Sequence, residues 1–362
     1  MNQCKQNRDS TDKLNIKQGI AMADYLRIVK IDEYSITPKY RQVVNAVMQG
    51  IEDGKIVKDD LLPSINELCV YLDISRNSVE KAYATLKKAG IVSSIAGKGY
   101  FIKQDQIKQP VKILLLFNKL SAHKKMIYDA FAKALGTTAA IDFYIYNNDF
   151  NVFKKLITEK IDNYSRYVII PHFLENEDRA HDVINLIPKE KLILLDKLVK
   201  RVSGSFSAVF EDFEKDIFGA LEQLLERLSK YHSLKIIFPK DTYHSKEILQ
   251  GFQRFCNEYA FEYETINFLK NENLVPGTVY ISLMEDDLVE LIEKIINSSM
   301  VAGIEIGVIS YNETPLKRVI LNGITTISTD FELMGRLAAD LVFDPADKHI
   351  PVPFKVTVRN SL

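Results

Sequence analysis

Between Tyr40 and Ile102 the chain is punctuated so closely by proline, glycine and capping residues that few folds remain open to it. In YRQVVNAVMQGIEDGKI, Val43, Val44, Val47, Met48 and Ile51 recur at helical spacing, and Gly54 suits a helix C-terminus. Pro63 then blocks continuation, Ser64 can cap a new helix, and Glu67 stands at the capping-box distance, so a second helix is predicted near Ile65–Leu72. Asp73 and Ile74 make a turn. Ser75 caps a third helix, which buries Val79, Tyr83 and Leu86 and stops at Gly90. From there the period becomes extended: IVSSI and GYFI are two short β runs separated by Ala96, Gly97, Lys98 and Gly99, a hairpin.

Two short helices joined by a tight turn, the second basic on its exposed face, fit the major groove of duplex DNA. A glycine-flanked lysine at a hairpin tip suits a phosphate or the minor groove. The candidate DNA contacts are therefore Ser64 and Asn66, then Arg76, Asn77, Ser78 and Lys81 on the third helix, then Lys98 and Gly99 on the wing. Taken alone, a Ser-Arg-Asn-Ser helix start is a capped, solvent-facing turn; the complete module turns the balance toward base contact. Glu80 faces an awkward environment beside DNA and is expected to pair with Lys81, Lys87 or a neighbour. The module resembles the winged helix-turn-helix of the GntR family of bacterial transcription regulators. Its marks are Leu62-Pro63-Ser64, Ser75-Arg76-Asn77-Ser78-Val79, Ala89-Gly90-Ile91 and Gly97-Lys98-Gly99-Tyr100-Phe101.

The whole chain has 362 residues and a formal net charge of −1, too long for this module alone. The charge is uneven: residues 34–103 hold ten Lys and Arg against seven Asp and Glu. Four segments are expected: a tail and lead-in over 1–33, the winged module over 34–103, a polar linker over 104–110, and an effector-binding and dimerisation domain over 111–362. Residues 1–21 are polar and aperiodic, and Met22 is an alternative start. The three cysteines, Cys4, Cys69 and Cys256, are far apart with no metal-ligand spacing, which suits a reduced cytosolic protein with neither disulfide nor metal. With no apolar run of membrane-spanning length and no signal-like start, a soluble, cytoplasmic chain without membrane association is expected.

Beyond Val111, short apolar runs alternate with amphipathic helical stretches: KILLLF, FYIY, YVIIP, LILLD, SAVF, KIIFP, TVYISL and IGVISY. That alternation predicts parallel sheets covered on both faces, with ligands beyond the carboxyl ends of the strands. Polar residues gather at those ends: Asn118 and Lys119, His172, Asp196 and Lys197, Lys240 and Asp241, Glu285 to Asp287, Asn312 and Glu313. The fold class is thus multidomain, a winged helix-turn-helix (α+β) followed by a two-lobed α/β domain with parallel sheets. Ile127, Phe131 and Leu135 form a helical apolar stripe, a candidate dimer face unless it packs on its own sheet.

Val111 to about Val358 resembles the effector domain of the LacI/GalR regulators, itself similar to periplasmic sugar-binding proteins. The resemblance is strongest in GVISYNETPLKRVILNGITTISTDFELMGRLAADLV, and Leu194-Leu195-Asp196-Lys197 and Gln250-Gly251-Phe252 fall in family order. A GntR-type module ahead of such a domain is similar to the arabinose-repressor type of regulator. The resemblance implies a small effector, a pentose or deoxyhexose among the candidates, in a cleft between two lobes. It makes Asp286 the counterpart of a ligand-binding aspartate. Where the family often carries an arginine this chain has Ile248, leaving His244 or Lys246 as substitutes. With the strand-end residues and His123, the ligand set is Asn118, Lys119, His123, His172, Asp196, Lys197, His244, Lys246, Asp286 and Asn312. An aminotransferase-like domain holding pyridoxal phosphate needs more residues than remain, and no phosphate loop or nucleophile elbow is present, so no enzyme activity and no cofactor are expected. A helical metal-binding effector domain is disfavoured by the strand pattern and by the lack of clustered histidines. The expected partners are double-stranded operator DNA, a small effector and a second copy of the chain. The alternative reading is a non-sugar metabolite as effector, or a domain that is enzymatic or serves only to dimerise. The linker, polar and closed by Pro110, lacks a hinge helix, so a signal would pass by moving whole modules.

Overall fold

In a computed structural model the described residues are 25, 27–95, 97, 99–104, 111–161, 163–240, 242, 244–270, 272–344 and 347–362. The 1–21 tail, Lys98, Asp241 and 105–110 of the linker lie outside them. Two compact units emerge. One holds the described residues up to Leu116 with Leu135–Ile145 and those of 162–167; the other holds Phe117–Ala134, Tyr146–Ile161 and Val168–Leu362.

In the first unit the helix Lys39–Glu52 ends at Asp53, and Gly54 follows with φ 67°. Ser64 and Glu67 form the expected capping box at the start of Ile65–Leu72: the Ser64 hydroxyl accepts from Glu67 N–H, and Glu67 accepts from Ser64 N–H at 2.7 Å. Ser75 caps Arg76–Lys88. The wing strands β2 (Val92–Ile95) and β3 (Gly99–Ile102) pair antiparallel, and β1 (Leu61–Leu62) adds to the free side of β3. Two residues are too few to show a period, which hid β1 from sequence reading. Val43, Val47, Leu68, Val79, Leu86 and Ile102 close the core of the module. The buried Tyr83 hydroxyl donates to Pro63 O at 2.7 Å, pinning the start of the second helix to the third.

The lead-in docks on strand β5 (Ala139–Ile145). Ile36 N–H donates to Phe143 O at 2.8 Å, Thr37 Oγ1 donates to Ile141 O at 3.2 Å, and Phe143 N–H donates back to Thr37 Oγ1 at 2.7 Å. Gln42 of the first helix binds the same segment through Asp32 and Thr37.

Two six-stranded sheets carry the rest. The first, over β4 (Val111–Phe117), β5, β6 (Arg166–Ile169), β7 (Leu192–Asp196), β8 (Ser207–Phe210) and β14 (His349–Pro351), runs β14-β8-β7-β6-β4-β5. The second, over β9 (Ser233–Ile237), β10 (Glu262–Ile266), β11 (Thr278–Ser282), β12 (Ile306–Tyr311), β13 (Thr325–Thr329) and β15 (Phe354–Thr357), runs β10-β9-β11-β12-β13-β15. Ranked by entry into its own sheet, each reads second-first-third-fourth-fifth-sixth. Chain order therefore reverses between β4 and β6 and again between β9 and β11, the places where open α/β sheets hold ligands. The chain passes between the two lobes three times, at Glu211–Asp212, at Asp330 and at Val352–Pro353.

Helix Glu247–Glu258 crosses Phe213–Gln223 at backbone distance. A Cβ on Gly251 would stand 2.2 Å from Glu214 O, so glycine is required there for packing. Ile248 is 1% exposed in the same core. The position where an arginine could have reached ligand is thus a core position. Ile127, Phe131 and Leu135 are also buried within the single chain, which removes them as a dimer face: Phe331–Phe343 comes so close that a Cβ on Gly335 would meet Ile127 O at 2.4 Å. No helix among the described residues is long and apolar enough to cross a membrane.

Candidate DNA interface and effector cleft

The third helix buries Val79, Ala82, Tyr83 and Leu86, which leaves Arg76, Asn77, Glu80, Lys81, Ala84, Lys87 and Lys88 exposed. Arg76 Nε donates to Glu80 Oε1 at 2.7 Å and Arg76 Nη1 donates to Asn66 Oδ1 at 3.0 Å, so Glu80 pairs with Arg76 rather than with a lysine. Ser64 and Ser78 are engaged in helix caps, Ser78 lying 2.9 Å from the Ser75 hydroxyl. Lys81 is exposed one turn beyond Asn77, its Nζ 4.1 Å from the centre of the Tyr40 ring. Gly99 opens β3 at φ 93°. Lys87 donates to Ser94 Oγ on the wing at 2.9 Å, a contact that sequence reasoning did not single out.

The second unit builds its polar centre at the carboxyl ends of the first sheet. Asn118 follows β4, His172 follows β6 and Asp196 ends β7 with a left-handed φ of 71°; all three are at least nine-tenths buried. Asp196 Oδ2 accepts from His172 Nε2 at 2.7 Å and from Lys124 Nζ at 3.1 Å. Lys124 also donates to Asn118 Oδ1, and Asn118 Nδ2 donates to Asn148 Oδ1. Burial works to raise the Asp196 pKa, but Lys124 and His172 outweigh it and hold the carboxyl well below its usual range. Burial, then Lys124, keeps His172 neutral-leaning. Glu211, directly after β8, is pushed well above the usual range by burial and by Asp196, so this pair retains a proton.

Lys124 was missed because it stands in the AHKK run, which reads as a solvated charge cluster. Its spacing to Ile127 and Phe131, three and seven residues on, was the available signal: a lysine in register with a buried stripe.

The remaining ligand candidates surround this centre unequally. His123 is partly buried, 4.9 Å from the Phe331 ring, and its pKa is lowered to about 4 by burial and then by Lys124. His244 is lowered to about 3 by burial, then by His172 and Lys119, which places these groups within electrostatic reach of one another. Lys119 is lowered by burial and partly restored by Asp286, itself exposed in the first turn of Glu285–Asn297. Asn312 has a left-handed φ of 62°, and its carbonyl accepts from the buried Lys317, which also pairs with Glu285 at 2.9 Å. Lys197 pairs with Glu177. With Lys246, Arg201, Ser245 and Gln250 they line a separate cavity of about 460 Å³. No group of three or more His, Cys, Asp or Glu among the described residues is placed to hold a metal ion. The whole is an array of charged and neutral hydrogen-bonding groups, suited to binding a small polar molecule.

The description "Bacterial regulatory proteins, gntR family" matches residues 39–102. Residues 39–102 are a GntR-type DNA-binding domain. Over 100 residues the chain is 29% identical to the HTH-type transcriptional repressor YtrA of Bacillus subtilis, spanning 28% of this chain and 73% of that one. It is 30% identical over 74 residues to the arabinose metabolism transcriptional repressor of Geobacillus stearothermophilus, spanning 20% of each. Most of the latter's length therefore has no counterpart in the match. Beyond the GntR domain the likeness is one of fold. A lac repressor structure superposes with a TM-score of 0.59 at 15% identity, covering 80% of this chain and 92% of that one. A LacI family regulator from Lactobacillus casei with bound sucrose gives 0.56 at 12%, covering 69% and 99%. The chain thus joins a GntR-type domain to a two-lobed α/β fold like that of the lac repressor.

Proposed function

We propose that this chain is a cytoplasmic repressor of carbohydrate-use genes, released from or seated on its operator by a sugar or sugar derivative. The observation that carries the reading is the joining of a GntR domain to a LacI-type two-lobed fold in one chain. The sugar is favoured by the cleft, where carboxylate, amide, imidazole and ammonium groups stand together, since each hydroxyl offers one donor and two acceptors. The sucrose-bound relative in fold and the arabinose repressor matched at the GntR domain point the same way. Asn118, Lys119, His123, His172, His244, Asp286 and Asn312 are the proposed lining, and Arg76 and Asn77 the proposed base contacts, with Lys98 on the wing.

A second copy is proposed to bind through the other lobe. Val289 and Ile296, seven residues apart on one helix, are exposed together with Ile304, Leu316 and Val319 on neighbouring turns that pack into the same core. A two-fold dimer matches a two-fold operator. Val319→Asp should shift the sedimentation coefficient of the full-length protein from dimer to monomer at micromolar concentration; a native protein that is already monomeric would remove this surface from consideration.

Operator titrations test the main reading. Arg76→Ala should weaken binding to the preferred duplex by about 1–3 kcal/mol, and a panel of monosaccharides and their phosphates should include one that changes native binding. Unchanged affinity in the Arg76 variant would dismiss the base contact, and an inert panel would dismiss the sugar.

A further inference from the structure

We infer that Glu80 is a specificity-determining residue of the GntR domain that acts by positioning Arg76. This rests on the DNA-binding reading of the third helix. Arg76 and Glu80 have side chains 65% and 46% exposed, at the edge of the solvent-facing side of the third helix. Any duplex that meets Arg76 therefore meets a carboxylate one helical turn further on. A carboxylate there is repelled by every phosphate, so it contributes nothing to sequence-independent attraction.

The geometry gives that carboxylate a role. Glu80 takes the Nε hydrogen of Arg76 at 2.7 Å and Asn66 takes one from Nη1 at 3.0 Å. Two partners from two helices hold the guanidinium plane and take up Nε–H and one hydrogen of Nη1, which leaves the second hydrogen of Nη1 and those of Nη2 for a base. That fork is the donor pair that fits O6 and N7 of guanine. The same pairing offsets the charge of Arg76, which weakens its pull on phosphates at random sites. Glu80 can in addition accept from N4 of a cytosine beside the guanine. In water the exposed pair is worth little. Once the interface is dry, however, a carboxylate that finds neither Arg76 nor a base donor is costly. Wrong sequences are therefore penalised more than the right one is favoured.

The test uses the full-length chain and two duplexes, one selected by the native protein from a randomised pool and one of scrambled sequence, each titrated over a range of salt. Glu80→Gln keeps the shape and an acceptor but removes the charge. It should raise affinity for the scrambled duplex, reduce the selected-to-scrambled ratio by about tenfold, and steepen the slope of log K against log salt by about one. Glu80→Asp should recover part of the ratio, and the melting temperature should not move, since neither side chain packs in the core. An unchanged ratio and slope in Glu80→Gln, with Arg76→Ala weakened, would overturn the role of Glu80 and leave the DNA contact standing. Failure of Arg76→Ala to weaken either duplex would overturn the DNA reading of this helix itself.

Discussion

Asp196→Ala is expected to destabilise the effector domain by about 3–5 kcal/mol, the range for removing one partner of a buried ion pair. The variant keeps Lys124 and His172 in place, both at least nine-tenths buried, and deletes the oxygen that accepts from both. Lys124 then has Asn118 but no countercharge at contact, and a lone buried ammonium is the costliest product of the change. Asp196→Asn should cost less, because the amide oxygen can still accept from Lys124. The stabilisation from Asp196 is present above the unfolded carboxylate range and is lost only as pH falls through its lowered folded value, so the loss in the variant should be full at neutral pH. Urea unfolding at pH 7 measures it; a loss under about 1 kcal/mol would mean that the network does not bear on stability. One consequence concerns function. Loss of response in an Asp196 variant does not separate ligand contact from damage to the fold, so Asp286→Ala, at an exposed helix start, is the cleaner probe of the ligand.

Asp216→Asn is expected to do the opposite and stabilise the protein at alkaline pH. Asp216 lies one turn into Phe213–Gln223, where helix polarity would ordinarily favour a carboxylate. Its Oδ2 is nevertheless buried with no hydrogen-bond partner, and burial, then the neighbouring Asp212, raises its pKa to about 7. With a folded value above the unfolded one, the native state binds more protons than the unfolded chain between about pH 4 and 7. Its contribution to stability therefore falls as pH rises through that window and stays low above it. The amide cannot ionise, so the advantage of the variant should grow from near zero at about pH 4 to on the order of 3 kcal/mol at pH 8. Paired urea titrations at pH 4.5, 6 and 8 would show it, and a difference that does not change with pH would contradict the buried carboxyl.

The legible parts of this chain are those in which a local signal and the tertiary fold agree. Ser64 with Glu67, Ser75 and Gly90 bound the helices where the structure bounds them, because caps act within a few residues. Central strands such as β7 and β11, buried throughout, read as continuous apolar runs. Edge strands did not. Four of the five β10 residues, Glu262 to Thr265, face solvent, so nothing in EYETI marks a strand until β9 is beside it. At the carboxyl ends of the first sheet, the gathering of Asn118, His172 and Asp196 was legible because each follows or ends an apolar strand run. Lys124 was marked only by its register with Ile127 and Phe131, and Lys317 by nothing local, since its countercharge, Glu285, lies on another helix. Lys81 is exposed one turn beyond Asn77, and its ammonium rests over the Tyr40 ring, a contact that the sequence of the helix does not announce.

The seating of Ser35–Thr37 on β5 also bears on where the effector domain can be cut. β5 is the last strand of its sheet, and its sequence, AAIDFYI, is apolar and rich in strand formers. The other outer strands carry their own deterrents to foreign pairing: Glu262 and Glu264 on β10, Pro351 at the end of β14 and Pro353 just before β15. β5 carries no proline and one acidic residue, the half-buried Asp142 that accepts from the Tyr164 hydroxyl, and it depends on the lead-in, which satisfies Ile141 O and both backbone groups of Phe143. A fragment begun at Val111 would bare that edge and invite aggregation. The stable effector fragment therefore includes residues that precede the GntR domain in the chain, and separating the two functions cleanly requires a circular permutation or a retained lead-in peptide rather than a single cut.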